Sequence, residues 1–142
     1  MATLELVGQW RARMAFASGD FAAVEGLEFM YVFNLGGTLT ESSNYDAAPP
    51  VPPAYGIWRQ VGPGRFEAVY EFYPTAAPRT ADELTAGGGW LPAGRGVFTE
   101  TITIADDGET YASTVGYEPF DAAGAPLSGG GRGTAAGVRL RF

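Results

Sequence analysis

The connections between the predicted strands alternate strictly between long and tight, and this alternation constrains the fold more than any other feature. Period-2 patterns of apolar and polar residues predict strands. They cover about residues 9–17, 27–34, 38–43, 55–60, 65–73, 95–105, 109–120 and 132–142. The first, third, fifth and seventh connections are long, whereas the second, fourth and sixth are tight turns rich in glycine. If neighbouring strands pair in antiparallel order, all long connections lie at one end of the sheet.

This arrangement predicts an all-β fold, an eight-stranded antiparallel up-and-down barrel with one open end, formed by a single domain over residues 1–142. The tight turns form its floor and the long connections surround its mouth. A two-sheet sandwich is the structural alternative. Locally, the sequence predicts a helical turn at residues 3–8, a stiff proline-rich loop over residues 46–53, and one helical turn at residues 80–84 capped by Thr80.

Several kinds of chemistry are excluded by composition. The chain contains no histidine and no cysteine, and all nine of its cationic residues are arginine. A cysteine nucleophile, a disulfide framework, a Schiff-base lysine and a histidine-centred triad are therefore ruled out. The usual ligand sets for zinc and haem are missing as well. Acid–base chemistry must come from aspartate, glutamate or tyrosine, and no cofactor or metal is expected.

The charge and the hydropathy pattern bear on partners and location. A net charge of −7 disfavours binding to nucleic acid, which depends on cationic contacts to phosphate. No apolar run approaches the roughly 20 residues of a membrane span, so no membrane partner is expected. The first residues lack the basic and long apolar regions of a signal peptide. These features predict a cytoplasmic protein and leave its oligomeric state open.

Two short motifs at opposite ends of the chain resemble a known family. Gly8-Gln9-Trp10 begins the first strand, and Arg139 lies near the end of the last. With eight strands between them, the chain resembles the calycin superfamily, in particular short bacterial lipocalin-like proteins. The resemblance implies a lipocalin-like barrel in which Trp10 packs at the closed end under Arg139, a guanidinium–indole contact that is physically favourable. The segments 56–58, 62–66 and 106–108 also look like that bacterial group. The chain departs from the family in lacking the C-terminal helix and disulfides and in its enlarged fifth connection.

Strand parity separates inward from outward side chains and identifies the candidate site. Glu100 shares the apolar register of its strand, so we expect it inside the barrel, where burial would raise its pKa and suit it to general acid–base catalysis. The alternative is that Glu100 faces water or pairs with an arginine. Glu67 and Glu71 fall opposite an aromatic register and are predicted to be solvated. The candidate catalytic residues are Glu100, Tyr31 and Tyr117, the tyrosines as hydrogen-bond donors to a substrate carbonyl.

Seven aromatic residues and one methionine are predicted to line the mouth or fill the core. The candidate ligand-binding residues are Met14, Phe16, Phe29, Trp58, Tyr70, Phe72, Trp90 and Phe98. An apolar cavity with a few polar groups is typical of small-molecule sites. Trp90 follows three glycines, so it is either a lid over the mouth or an anchor that holds a long loop to the barrel.

The sequence leaves three functions open. The first is a cofactor-independent cyclase or isomerase that folds an apolar, polyketide-like molecule into its reactive shape, for example for a [4+2] cyclisation. Small barrels of this general shape serve as such cyclases in bacterial polyketide pathways. This similarity is an analogy of architecture. The second is a non-catalytic, lipocalin-like carrier of a small hydrophobic ligand. The third is a structural or interaction domain whose barrel is packed solid.

Overall fold

The computed structural model describes residues 6–45, 52–87 and 89–142. Its elements are β1 (Gly8–Phe16), β2 (Glu28–Phe33), β3 (Thr38–Ser43), β4 (Ala54–Gly62), β5 (Arg65–Phe72), β6 (Thr75–Ala76), α1 (Ala81–Gly87), β7 (Leu91–Pro92), β8 (Arg95–Ile104), β9 (Thr110–Phe120) and β10 (Gly131–Arg139). Strands β6 and β7 form a separate two-stranded sheet inside the fifth long connection. No helix in the described part of the chain is long and apolar enough to cross a membrane.

The remaining eight strands form a closed antiparallel barrel in the order β1-β10-β9-β8-β5-β4-β3-β2. Strand β1 pairs with β10 from Trp10 opposite Arg139 to Phe16 opposite Gly133, which closes the sheet on itself. The predicted all-β, up-and-down barrel is confirmed, and the sandwich alternative is wrong. The fold is compatible with a calycin-like barrel.

The predicted local features have mixed outcomes. Thr80 caps α1, because its Oγ1 accepts a hydrogen bond from the backbone N–H of Glu83 at 3.1 Å, so the predicted helical turn is confirmed and extends to Gly87. The turn predicted at residues 3–8 is not seen at its described end, since residues 6 and 7 are non-helical and β1 begins at Gly8. Residues 3–5 and 46–51 lie outside the described residues.

The closed end is built around Trp10. The Arg139 guanidinium carbon lies 4.3 Å from the centroid of the Trp10 ring, and the indole N–H donates to the Leu6 carbonyl at 2.9 Å. Arg139 also donates to the carbonyls of Val7 and Gly108, at 2.7 and 2.9 Å, which ties the start of the chain to a turn of the floor. The Tyr111 ring completes the packing at 5.1 Å from Trp10. The predicted floor role of Trp10 is confirmed.

The inward side chains form three layers along the barrel axis. Large apolar rings fill the layer at the tight-turn end and the layer at the mouth. The middle layer is different, because it combines small residues with polar ones. Its small residues are Ala12, Gly56 and Ala68, and its polar residues are Tyr31, Glu41, Glu100 and Ser113. Polar side chains are therefore concentrated at one depth of an otherwise apolar interior.

Candidate functional site

Three oxygens from three strands meet at the middle of the barrel. The Tyr31 hydroxyl on β2 lies 2.8 Å from the Tyr70 hydroxyl on β5. Both hydroxyls donate to Oε1 of Glu100 on β8, at 2.9 Å from Tyr31 and 2.8 Å from Tyr70. All three residues are buried. The predicted inward orientation of Glu100 is confirmed.

Small residues on the neighbouring strands leave room for this triangle. Ala68, which lies opposite Glu100 across β5 and β8, is too small to displace the carboxyl group. Gly56 lies opposite Tyr70 across β4 and β5, and a Cβ at Gly56 would come within 2.5 Å of the Tyr70 Cβ. Real Cβ atoms do not approach so closely, so glycine at residue 56 permits β5 to hold the Tyr70 ring in place.

The three contacts of the triangle cannot all be hydrogen bonds if only the two tyrosines supply protons. Tyr31 and Tyr70 supply two hydroxyl protons for the three short contacts. When Glu100 is ionised, both tyrosines donate to it and the contact between the two hydroxyls carries no proton. When Glu100 is protonated on Oε1, each of the three groups can donate once and accept once. The complete ring therefore requires the neutral acid.

The pKa values of the buried groups favour neutral forms. Burial raises the pKa of Glu100, while the nearby hydroxyls of Ser113, Tyr70 and Tyr31 oppose that shift. Burial, and then the charge of Glu100, raise the pKa values of Tyr31, Tyr70 and Tyr111 well above the usual value. The tyrosines are therefore hydrogen-bond donors at neutral pH, and Glu100 titrates above an ordinary glutamate.

A second carboxyl group, Glu41 on β3, lies in the same layer and was not predicted. It lies opposite Tyr31 across β2 and β3, and it is only 4% exposed. Burial and the neighbouring Glu100 together raise the pKa of Glu41 to about 8. The barrel therefore encloses two coupled carboxyl groups. Of the ion pairs in the described part of the chain, none involves either group.

Four buried side-chain atoms of the described residues lack a hydrogen-bond partner. They are Oε1 of Glu41, Oε2 of Glu100 and the hydroxyl oxygens of Tyr111 and Ser113. Most buried polar groups in proteins are hydrogen-bonded, and each exception costs on the order of 1–3 kcal/mol. The hydroxyls of Ser113 and Tyr111 lie close to Glu100 and Tyr31, respectively, so the free capacity for a ligand lies mainly on the carboxyl oxygens of Glu41 and Glu100. Within the described ranges, no group of three or more candidate ligands is arranged to hold a metal ion.

The mouth of the barrel is covered by Phe21, from the connection between β1 and β2. Its ring centroid lies 4.6 Å from that of Tyr117, 5.8 Å from that of Phe98 and 5.4 Å from that of Phe16. Beneath it is a cavity of about 10 Å³, which is room for one water molecule. The cavity is lined by Phe21, Phe29, Glu41, Ser43, Tyr45, Phe72 and Phe98.

Contacts with the neighbouring connection hold Phe21 in place. The N–H of Asp20 donates to the Gly129 carbonyl at 2.8 Å, and the Ser18 hydroxyl accepts from the N–H of Arg132 at 3.1 Å. Gly19 adopts a φ of +83°, a conformation that favours glycine. The cover is therefore a tight turn attached at its base by few hydrogen bonds.

The predicted site residues divide between the polar triangle, the mouth and the closed end. Tyr31, Tyr70 and Glu100 meet directly. Tyr117 packs with the mouth aromatics, where burial, with a smaller effect of Asp20, raises its pKa to about 12. The predicted wall residues with inward, buried side chains are Met14, Phe16, Phe29, Phe72 and Phe98. Glu67 and Glu71 face outward and pair with Arg59 and Arg95, so their predicted exposure is confirmed.

Two tryptophans lie away from the mouth cavity. Trp58 lies at the closed end, where its indole N–H donates to the Asn34 and Thr38 carbonyls at 3.0 and 3.1 Å. Trp90 is 46% exposed and does not line the cavity. Phe21 lines the mouth cavity where the lid alternative would have placed Trp90.

Removing the Phe21 ring should open the mouth. We expect Phe21→Ala to lower the free energy of unfolding by about 1–3 kcal/mol, less than a fully buried phenylalanine, because the ring is partly exposed. We also expect tighter binding of the apolar fluorophore N-phenyl-1-naphthylamine, measured by its emission. Leu35→Ala is the matched control, since Leu35 is exposed in the turn after β2. Equal binding of the dye by both variants and the wild type would show that Phe21 covers no usable cavity.

The chain matches no protein-family model, and no significant similarity to a curated protein is found. The functional conclusion therefore depends on the geometry of the barrel interior.

Proposed function

We propose that the protein is a cofactor-independent cyclase or isomerase, built on a lipocalin-like barrel of the calycin type. It encloses an apolar, polyketide-like molecule and templates its reactive conformation, for example for a [4+2] cyclisation. The observation that carries the proposal is the cluster of Tyr31, Tyr70, Glu41 and Glu100, buried at the end of an aromatic-lined mouth with unsatisfied polar atoms. The proposed location is the cytoplasm.

The chemistry requires only hydrogen bonding and proton transfer. The hydroxyls of Tyr31 and Tyr70 donate to Oε1 of Glu100. A substrate carbonyl oxygen that took the place of Oε1 would accept from the same two hydroxyls, which would stabilise negative charge developing on it. Burial raises the pKa of Glu100, so it holds a proton more readily than an ordinary glutamate and can donate that proton to a ligand. The aromatic wall formed by Phe29, Phe72 and Phe98 would restrict a flexible chain to few conformations, which lowers the entropic part of the barrier.

Ligand entrance requires movement of the cover. The present cavity of about 10 Å³ is far smaller than an apolar substrate. Displacement of the Phe21 ring would widen this cavity and expose the Phe98 ring, whose centroid lies 5.2 Å from that of Tyr70. Loop opening of this kind is common in enzymes that exclude water during the reaction.

A conservative variant of Glu100 tests the proposal. With a linear polyene substrate bearing a conjugated carbonyl, we expect Glu100→Gln to lower kcat about 100-fold, since positioned acid–base groups contribute roughly 10²–10⁴-fold. Tyr31→Phe should lower it by a similar factor through loss of a donor. Glu67→Gln is the matched control, because Glu67 lies on the outer face and should leave kcat unchanged. Wild-type protein that gives no rate increase over buffer would refute catalysis for this substrate class.

Two alternatives have specific support. A carrier is favoured by the cover, which would retain a hydrophobic ligand; it predicts saturable binding, recovery of unchanged ligand, and a Glu100→Gln variant that binds about as well. A packed structural barrel is favoured by the small size of the cavity. The polar cluster argues against the packed barrel, because buried polar atoms without hydrogen-bond partners lower the stability of a purely structural core.

A further inference from the structure

We propose that Glu41 is the group that first binds the ligand, and that it selects a neutral molecule whose carbonyl oxygen accepts a hydrogen bond from the Glu41 carboxyl group. This inference rests on the proposed function and adds a ligand-binding acid and a substrate class to it.

Glu41 lines the cavity beneath the Phe21 ring. It lines the mouth cavity together with Phe21, Phe29 and Phe98, whereas Glu100 does not. The Oε1 atom of Glu41 has no hydrogen-bond partner. A ligand that displaces Phe21 would contact aromatic rings and the carboxyl group of Glu41 in the cavity, whereas Tyr31, Tyr70 and Glu100 do not line it.

The surroundings of Glu41 keep it neutral. The titratable groups that face it are Tyr31 from β2, Tyr70 from β5 and Glu100 from β8, and Tyr45 lines the same cavity. Strand β4 contributes Ala54 opposite Glu41, which does not titrate. The arginines of the described ion pairs, Arg13, Arg59, Arg95 and Arg141, all have exposed side chains and pair with other glutamates. A carboxyl group in such a setting stays protonated at neutral pH.

A protonated carboxyl group has a defined preference among ligands. It donates a hydrogen bond through its O–H, so a ketone, ester or amide carbonyl is its natural partner. A carboxylate ligand would place another acidic group beside two acids with no cation to neutralise it. An ammonium group would require Glu41 to ionise in a buried position. The site therefore favours a neutral acceptor over either charged class.

A matched pair of probes tests this preference. 4-Phenyl-2-butanone and 4-phenylbutan-2-amine share a carbon skeleton and differ in carbonyl against ammonium. Their Kd values would be measured by NMR titration between about pH 6 and pH 9, for the wild type, Glu41→Gln and the control Glu67→Gln; Phe21→Ala supplies an open mouth if the wild type binds slowly. We expect the ketone to bind at least tenfold more tightly than the amine at about pH 6.5.

The pH dependence separates a ligand-binding role from a structural one. With a pKa of about 8, the protonated fraction of Glu41 falls roughly tenfold between about pH 7 and pH 9, and ketone affinity should fall with it. Glu41→Gln should bind the ketone with little pH dependence, because the amide remains a donor, and Glu67→Gln should follow the wild type. Ketone binding without pH dependence in the wild type, or tighter binding of the amine, would overturn the role of Glu41 alone. Failure of both probes to bind the wild type and Phe21→Ala would overturn the proposed function, because no small apolar molecule would then enter the barrel.

Discussion

The free energy of unfolding is expected to fall as the pH rises from about 5 to about 8, the reverse of what ionised surface carboxylates cause at acid pH. Glu41 is one source of this fall in stability. Its pKa rises from 4.5 to about 8 on folding, so the folded protein binds more protons than the unfolded chain across this window. Stability is highest below the unfolded pKa and is lost as the pH passes through the folded one.

The expected change in the free energy of unfolding is large for a single titrating group. Each pH unit inside the window changes the free energy of unfolding by at most about 1.4 kcal/mol per group, so Glu41 alone accounts for about 3 kcal/mol between about pH 5 and pH 8. Glu100 acts in the same direction, because burial also raises its pKa. The chain has no histidine and no cysteine, so few other side chains titrate in this range.

Urea unfolding followed by circular dichroism at several pH values measures this effect. Glu41→Gln should reduce the slope of stability against pH and should be more stable than the wild type at about pH 8, because its buried group never ionises. Glu67→Gln should keep the wild-type slope, since Glu67 is partly exposed and paired with Arg59. A wild-type stability that is constant or rises over this window would contradict the buried, neutral carboxyl pair.

Loss of the Trp10 ring should be the most destabilising substitution at the closed end. We expect Trp10→Ala to lower the free energy of unfolding by about 3–5 kcal/mol, the usual range for a buried aromatic replaced by alanine. The ring is fully buried, donates to the Leu6 carbonyl and carries the Arg139 guanidinium on its face. The variant loses all three interactions and leaves a cavity beside Tyr111.

Two other tryptophan variants serve as comparisons for the loss of stability in Trp10→Ala. Trp90→Ala is the matched control and should cost well under half as much, because Trp90 is half exposed. Trp10→Phe keeps a ring under Arg139 but loses the indole donor, so its loss should lie between the two. If Trp10→Ala cost no more than Trp90→Ala, the floor would not depend on Trp10.

The barrel could be predicted because its determinants are local. Strand parity depends on a period of two, and Phe98, Glu100 and Ile102 share one register, so burial of Glu100 followed from its neighbours. The tight turns and long connections then determined which strands pair. The Trp10–Arg139 contact was predictable from the resemblance alone, because it joins opposite ends of the chain.

The rest of the site could not be predicted, because it depends on how deep each side chain lies along the barrel axis and on a loop that folds back over the mouth. Parity assigns a side chain to a face but not to a layer, so Tyr117 and Tyr31 looked equivalent, although only Tyr31 reaches Glu100. Glu41 escaped prediction because β3 has one large inward apolar residue, Leu39, which gives a weak pattern; Glu41 does share the register of Leu39. Phe21 lies in a loop, where no periodicity predicts orientation.

A carboxyl-carbon NMR spectrum of protein labelled with [δ-¹³C]glutamate, recorded with and without 4-phenyl-2-butanone, tests the central claim most directly. The account predicts that Glu41 and Glu100, assigned by their Gln variants, titrate above the usual range in the free protein. It also predicts that the ketone shifts these two resonances and leaves the outward Glu67 and Glu71 unchanged. Ordinary titration of every glutamate, or ketone-induced shifts confined to the outward carboxylates, would contradict a ligand site inside the barrel.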